Sequence, residues 1–294
     1  MTSRNPFESP GDWLKGNLHT HTTESDGLLD PDDVVRWYTD HGYDFLAITD
    51  HRTRTIVDPP EDSSLIMLPS MELDGWDESF DGEYHLTGIG LASLDRTETG
   101  TSLQAAIDQV KADGGLAILA HPYWLGVAPH RLFPISGLDG LEVFNVTCEQ
   151  INGKGDSGQL WDDVLDAGMS LHGLAVDDAH WNRPEAGEAW VMARSETRTA
   201  EGILDALAAG CFYSTQGPEI HSFALDGNVA RASCSPVADI RFVSQRTFGR
   251  CVTSENGEIE EAEIVLHGRE RYVRLVCIDR DGRMAWSNPL PTAN

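Results

Sequence analysis

With 294 residues, 40% of them hydrophobic, the chain can bury a substantial core, enough for one barrel-type domain or a core domain with a smaller appendage. Acidic residues outnumber basic ones 48 to 21 for a formal net charge of −27, and the excess is uneven: residues 1–217 carry −25 and residues 218–294 carry −2. No basic stripe of the kind that tracks a long nucleic acid is present, so an anionic substrate must be small and met locally.

The N-terminus has no apolar signal segment, and no run of about 18 apolar residues occurs, so the expectation is a cytoplasmic protein that does not enter a membrane. Five cysteines (148, 211, 234, 251 and 277) are an odd number without a Cys-x-x-Cys pair. They argue against a disulfide framework and a thiolate zinc finger, and read as buried small side chains in a reducing compartment. Nothing in the sequence specifies an oligomeric state.

The first expected strand is 17–21, where His19 and His21 at i and i+2 share one face. Imidazoles beside a carboxylate, here Asp26 followed by Gly27, suit zinc, iron or manganese, although a lone His-x-His also arises by chance. A helix is expected from Pro31 to Gly42, with Asp30 as N-cap, Pro31 at the first position and Gly42 as the stop. His41 in its last turn is explained by the negative helix end. The apolar run 43–49 ends in Asp50-His51, like a buried parallel strand delivering polar groups at its C-terminal end. A run at 65–68 leads to Glu72, and a strand at 83–91 carries His85 near its start. Helical spacing covers 103–110, and a strand at 116–120 ends in His121-Pro122. A strand at 138–145 carries Glu142, a helix spans 160–167, and a strand at 171–176 empties into Asp177-Asp178-Ala179-His180. A short apolar run at 190–193 and a helix at 200–209 follow. Strand, loop and helix recurring in this way are the signature of an α/β barrel. From Pro218 the helical period disappears: strands are expected at 240–243, 263–266 and 272–278, with Asp279 to Gly282 turning into a hairpin. Period and charge change together, which divides the chain into 1–217 and a small β-rich unit at 218–294.

The strand ends collect His19, His21, Asp26, His51, Glu72, His85, His121, Asp178 and His180, including six of the 11 histidines. Each alone has a bland explanation, as a core histidine, a helix-capping acid or a solvated carboxylate. Gathered without metal, the group would be desolvated and partly like-charged, at a cost on the order of several kcal/mol. Cations remove that difficulty.

His-x-His followed by Ser25-Asp26-Gly27, Ile48-Thr49-Asp50-His51, Glu72, Ala120-His121-Pro122 and Asp178-Ala179-His180 resemble, as an ordered set over about residues 14–217, the PHP (polymerase and histidinol phosphatase) family. Residues 15–22, the run from Trp37-Tyr38 to His51 and the tail from Tyr272 to Pro289 look most like its carbaryl-hydrolase-type metallohydrolase branch. The resemblance implies an α/β fold, a distorted (β/α)7 barrel of the PHP type, with two or three divalent metal ions (Zn, Mn or Fe) and mostly phosphoester hydrolysis. Carried over, His19, His21 and Asp178 hold one metal, which Glu72 bridges to a second completed by His85 and His121. Asp26, His51 and His180 hold a third if it is present. Many members have a histidine where Asp26 stands, which puts the third metal in question. Asp50 reads as orienting an imidazole, and Asp177 is undecided.

The expected chemistry is attack by a metal-bridged hydroxide on a small-molecule phosphoester, a phosphorylated metabolite or nucleotide, with Asp178 or His180 as the acid for the leaving oxygen. The alternatives are a carbamate or carboxylic ester metallohydrolase on the same site, and a non-catalytic metal-binding module. Arg52, Arg54, Arg131, Lys154 and Arg183 are candidates for the mouth of the site, either gripping phosphate or standing as surface charge. Trp124 and Trp181 either stack on a leaving group or seal the rim. His130, His172, His221 and His267 read as structural.

Overall fold

Short apolar runs form strands, and runs of helical period form helices, in the computed structural model, which describes residues 4–97, 100–254 and 258–292. In chain order these are β1 (Asp12–Asn17), α1 (Pro31–Asp40), β2 (Phe45–Leu46), β3 (Ile66–Met67), β4 (Ser70–Asp77), β5 (Gly82–Ile89), α2 (Leu103–Ala112), β6 (Leu116–Leu119) and α3 (Pro129–Leu132). Then come β7 (Gly140–Asn145), α4 (Val146–Asn152), α5 (Gly158–Asp166), β8 (His172–Val176), β9 (Trp190–Ser195), α6 (Ala200–Ala208) and β10 (Phe212–Thr215). The remainder is all strand: β11 (Ile220–Asp226), β12 (Val229–Val237), β13 (Asp239–Val243), β14 (Gly249–Thr253), β15 (Ile259–Val265), β16 (Tyr272–Ile278), β17 (Met284–Ser287) and β18 (Leu290–Pro291). The caps follow local chemistry. Asp30 accepts the Asp33 N–H at 3.0 Å, Ser102 the Ala105 N–H at 3.2 Å and Thr199 the Gly202 N–H at 3.2 Å.

A mixed α/β protein results, but not the expected single ring of seven strands. One sheet runs β4-β5-β6-β7-β8, a second runs β14-β13-β16-β17-β10-β9-β1-β2-β3 with β18 on β16, and a third runs β11-β12-β15. A (β/α)7 barrel is not shown: β4 and β5 pair antiparallel, as do β5 and β6. Only the short turn 78–81 separates β4 from β5, and a parallel partner needs a crossover of about a dozen residues or more. Consequently Glu72 and His85 lie inside a hairpin, opposite Thr87 and Asp74, rather than at parallel strand ends. The first strand is also earlier than expected, so His19 and His21 lie just beyond β1. There, single parallel bridges, Thr20 to Ala179 and His51 to Glu72, stitch the first two sheets together.

The change of period at Pro218 is real, since all described strands from β11 onward lie beyond it without a helix. The second sheet nevertheless runs through that position, because β10 pairs antiparallel with β17. Phe144 stacks on Trp286 at 5.7 Å, and Arg274 lies over the Trp161 ring while donating to Asp162. Four cysteines are buried as expected, but Cys251 is exposed. No helix among the described residues is long and apolar enough to cross a membrane.

His172, at the start of β8, has a buried Nε2 without a hydrogen-bond partner. It packs against Gly210 (φ +66), where a Cβ would sit 2.4 Å from that nitrogen. Burial pushes this imidazole down from 6.5 to about 4, with Asp139 opposing weakly. The unfolded chain therefore takes up this proton at higher pH than the folded one. The stability associated with a neutral His172 is complete above pH 6.5 and is lost as pH falls through 4. Denaturant unfolding should show wild type losing up to about 3 kcal/mol more than His172→Gln between pH 7.5 and pH 4. Parallel pH profiles for the two proteins would contradict this assignment.

Candidate metal centre

The segments just past β1, β2, β6 and β8 converge with the β4–β5 hairpin on one buried point, the carboxylate of Glu72. Its Oε1 lies 2.8 Å from His85 Nδ1 and 3.3 Å from His121 Nε2. Its Oε2 lies 3.4 Å from Nε2 of both His19 and His21, and 3.3 Å from His51 Nδ1. Asp178 Oδ1 closes one side at 3.1 Å from the same two Nε2 atoms, which are themselves 3.1 Å apart. Toward solvent, Asp26 Oδ2 stands 3.4 Å from His180 Nε2 and 3.7 Å from His51 Nε2. His180 donates its Nδ1–H to the Asp178 carbonyl at 2.8 Å, so its Nε2 faces the centre.

Among the described residues, three overlapping groups could hold a metal: His19, His21 and Glu72; His51, Glu72 and His85; and His21, Asp26, His51 and His180. Within each, one donor atom per residue lies within 4.8 Å of the others. Imidazole and carboxylate donors without thiolate suit divalent zinc, manganese or iron. All nine expected ligands are thus brought together. His51 is shared between two groups, and His121 joins through Glu72.

The electrostatics follow from crowding. Burial would raise the Glu72 carboxyl, but His85, His19 and His121 hold it well below the usual carboxylate range. Asp178 is likewise held far down against its burial by His19 and His21. Burial lowers His21, whereas His19 is raised in spite of burial by Asp178, Glu142 and Glu72. His85 is raised to about 9, with Glu72 overcoming desolvation. A field that binds protons this strongly is one that stabilises a cation. Backbone strain gathers here too. Of six non-glycine residues with positive φ among the described residues, Arg52, His121, Asp178 and Trp181 are expected ligands or their immediate neighbours. Such conformations cost roughly 1–3 kcal/mol each and persist where surrounding contacts enforce them.

The expected substrate contacts fare differently. Arg52 donates to Asp74 at 3.0 Å, and Arg131 to Asp81 at 2.9 Å. Arg54 pairs with Asp95 and donates to the Leu91 and Ala92 carbonyls. Arg183 is exposed, with Asn182 at 3.4 Å, and Lys154 lies 5.8 Å from the Tyr123 ring. Trp181 seals the wall, donating to the His21 carbonyl and packing on Trp37 and Tyr38. Trp124 stands edge-on to His121 at 5.3 Å and to His85 at 6.4 Å. Asp50 reaches an imidazole only through Ser25, whose Oγ lies 3.3 Å from His21 Nδ1. It accepts from Thr22 N–H, Thr22 Oγ1, Ser25 Oγ and Thr55 Oγ1, and so ties down the loop that carries Asp26. Asp177 accepts the N–H groups of Gly187, Glu188 and Ala189 and the Tyr38 hydroxyl, while burial raises it to about 7. Two residues that reach the expected ligands were missed as site residues, Glu142 and Asn145. Their one sequence signal is a carboxylate and an amide in the apolar run Leu141 to Asn145.

No protein-family model matches the chain. It is 31% identical over 145 residues to the uncharacterized protein MJ1587 of Methanocaldococcus jannaschii, which covers 45% of this chain and 82% of that protein. The chain belongs to that protein's family. Over 82 residues it is 32% identical to the 5'-3' exoribonuclease Rnm of Escherichia coli, covering 26% of this chain and 27% of that one. Among solved structures it is similar to a two-domain protein of Bacteroides vulgatus containing a predicted PHP-like metal-dependent phosphoesterase. That match has a TM-score of 0.51 at 16% identity, over 99% of this chain and 98% of that one. The likeness is one of fold, and the fold is PHP-like.

His19→Ala and His21→Ala should each lose bound metal, as measured by elemental analysis, with circular dichroism close to wild type. Full metal content in either variant would show that these imidazoles are not ligands.

Proposed function

We propose that the protein is a metal-dependent hydrolase of the PHP family, a phosphoesterase acting on a small phosphorylated metabolite or nucleotide. The observation that supports it most is Glu72, one buried carboxylate within 3.4 Å of five imidazoles. In this reading two divalent cations, zinc, manganese or iron, are held by His19, His21, Asp178, Glu72, His85 and His121. A third is held by Asp26, His51 and His180 where it binds. Such cations, when bound, lower the pKa of water and neutralise charge that develops on a phosphoryl group.

The chain's own residues then divide the work. Glu72 is shared between the groups and fixes their spacing. Asp178 is engaged by His19, His21 and Asn145, so it has no proton to give. His180 is partly exposed, and although burial would lower it, Asp26 and Asp178 raise it to about 9. Where the third cation is not bound, His180, with Nδ1–H anchored on a carbonyl, can hold a proton at Nε2 and release it to the leaving oxygen. Trp124 offers an apolar edge for the leaving group. The exoribonuclease likeness over 82 residues is compatible with a nucleotide-sized phosphodiester. The net charge of −27 disfavours a long polyanion.

A second reading, carbamate or carboxylic ester hydrolysis in the manner of the carbaryl-hydrolase-type branch, is favoured by one finding. Arg52, Arg54 and Arg131 are already paired with protein carboxylates, which leaves less cationic surface for phosphate. The test is a panel of p-nitrophenyl phosphate, bis-p-nitrophenyl phosphate, a nucleoside 5'-phosphate, p-nitrophenyl acetate and an aryl carbamate, with and without chelation. Chelator-sensitive release from a phosphate ester is expected. Turnover of the acetate or carbamate alone would overturn the phosphoesterase reading in favour of the second.

A further inference from the structure

Behind the ligands lies a second layer built by β7 and the start of α4. Glu142 is 1% exposed. Its Oε1 accepts the His19 Nδ1–H at 2.5 Å, and its Oε2 accepts the His121 backbone N–H at 2.8 Å and an Asn145 Nδ2–H at 2.8 Å. Asn145 caps α4 by accepting the Cys148 N–H at 2.9 Å through Oδ1. That bond fixes which way the amide points, so Nδ2 must lie between two carboxylates. It donates to Asp178 Oδ2 at 3.0 Å as well as to Glu142. Thr147 Oγ1 adds a bond to the Asp178 carbonyl at 2.7 Å.

We propose that Glu142 and Asn145 are positioning residues that set the metal-facing atoms of His19, His121 and Asp178. This rests on reading the cluster as a metal centre. A carboxylate is an acceptor only, so the Glu142 contact keeps the proton on His19 Nδ1 and turns the Nε2 lone pair toward Glu72 and Asp178. Asn145 plays the matching role for Asp178: with Oδ2 satisfied by an amide proton, Oδ1 is left for the centre. It also separates two carboxylates with a neutral donor, which limits their repulsion. The His121 backbone, at φ +29, is held in its turn by the same Glu142 carboxylate. One strand thereby aligns ligands that come from the ends of β1, β6 and β8. None of these bonds consumes an atom that faces the cation. Partners in such positions typically change metal affinity by about 10–100-fold when removed.

Glu142→Gln is the informative change. Three N–H donors point at the two Glu142 oxygens, and an amide offers only one, so at least one donor must face an NH2 group. Calorimetric titration of metal-free protein with Zn2+ should show affinity falling about 10–100-fold, in protein that circular dichroism reports as folded. Val164→Ala, a core substitution in α5, serves as control for a general loss of stability and should keep near wild-type affinity. Unchanged Zn2+ affinity in Glu142→Gln overturns the proposal, as does an equal loss in Val164→Ala. Should Glu142→Gln not fold, Glu142→Asp keeps the charge but withdraws it by one methylene. Weakened Zn2+ binding there supports the proposal, and wild-type binding overturns it. Wild-type protein that binds Zn2+ yet hydrolyses no ester would end the hydrolase reading and leave this inference standing.

Discussion

Glu72 is the constraint around which the rest of the structure is arranged. A fully buried carboxylate is tolerable only if its charge is compensated, and here five imidazoles surround it. They come from four segments and two sheets, so the carboxylate can be compensated only when those sheets meet. The single bridges at Thr20–Ala179 and His51–Glu72 are where they do. Local strain at His121 and Asp178 follows from the same demand.

The large acidic excess of residues 1–217 is only partly a solvated surface. Glu72, Asp178 and Asp26 face the centre. Glu142 bonds His19 and the His121 backbone from behind, while Asp50 and Asp177 hold the loops that carry Asp26 and His180. Asp74, Asp81 and Asp95 pair with Arg52, Arg131 and Arg54. Burying so much negative charge in one region is costly unless each group has donors or cations. The hydrogen bonds account for the supporting groups, and divalent cations suit the central ones.

The segment from Pro218 onward follows different local rules and still shares a sheet with the rest. β10 and β17 pair directly, and Arg274 reaches across to Asp162 and Trp161. A hairpin period is a local property, whereas the partner of an edge strand is chosen by the whole assembly. That is why the composition shift was visible at Pro218 and the continuity of the sheet was not.

What the residues determined by themselves was whatever depends on neighbours in sequence. The i and i+2 histidines share a direction, the caps at Asp30, Ser102 and Thr199 start their helices, and the strands at 116–120, 138–145 and 171–176 are mostly apolar because both faces are covered. The set of candidate donors that the fold gathers was readable for a related reason: such donors are few in kind, and each stands in a short motif beside an apolar run. The tertiary structure alone decided the rest. Four residues separate β4 from β5, yet only the fold shows that this hairpin replaces a parallel crossover and carries Glu72 and His85 in its interior. Arginines that look free in sequence are claimed by carboxylates up to 50 residues away. Glu142 meets His19 across 123 residues. A hydrogen bond between two such distant groups leaves no periodicity or spacing in the chain, because its geometry exists only once the strands are in place.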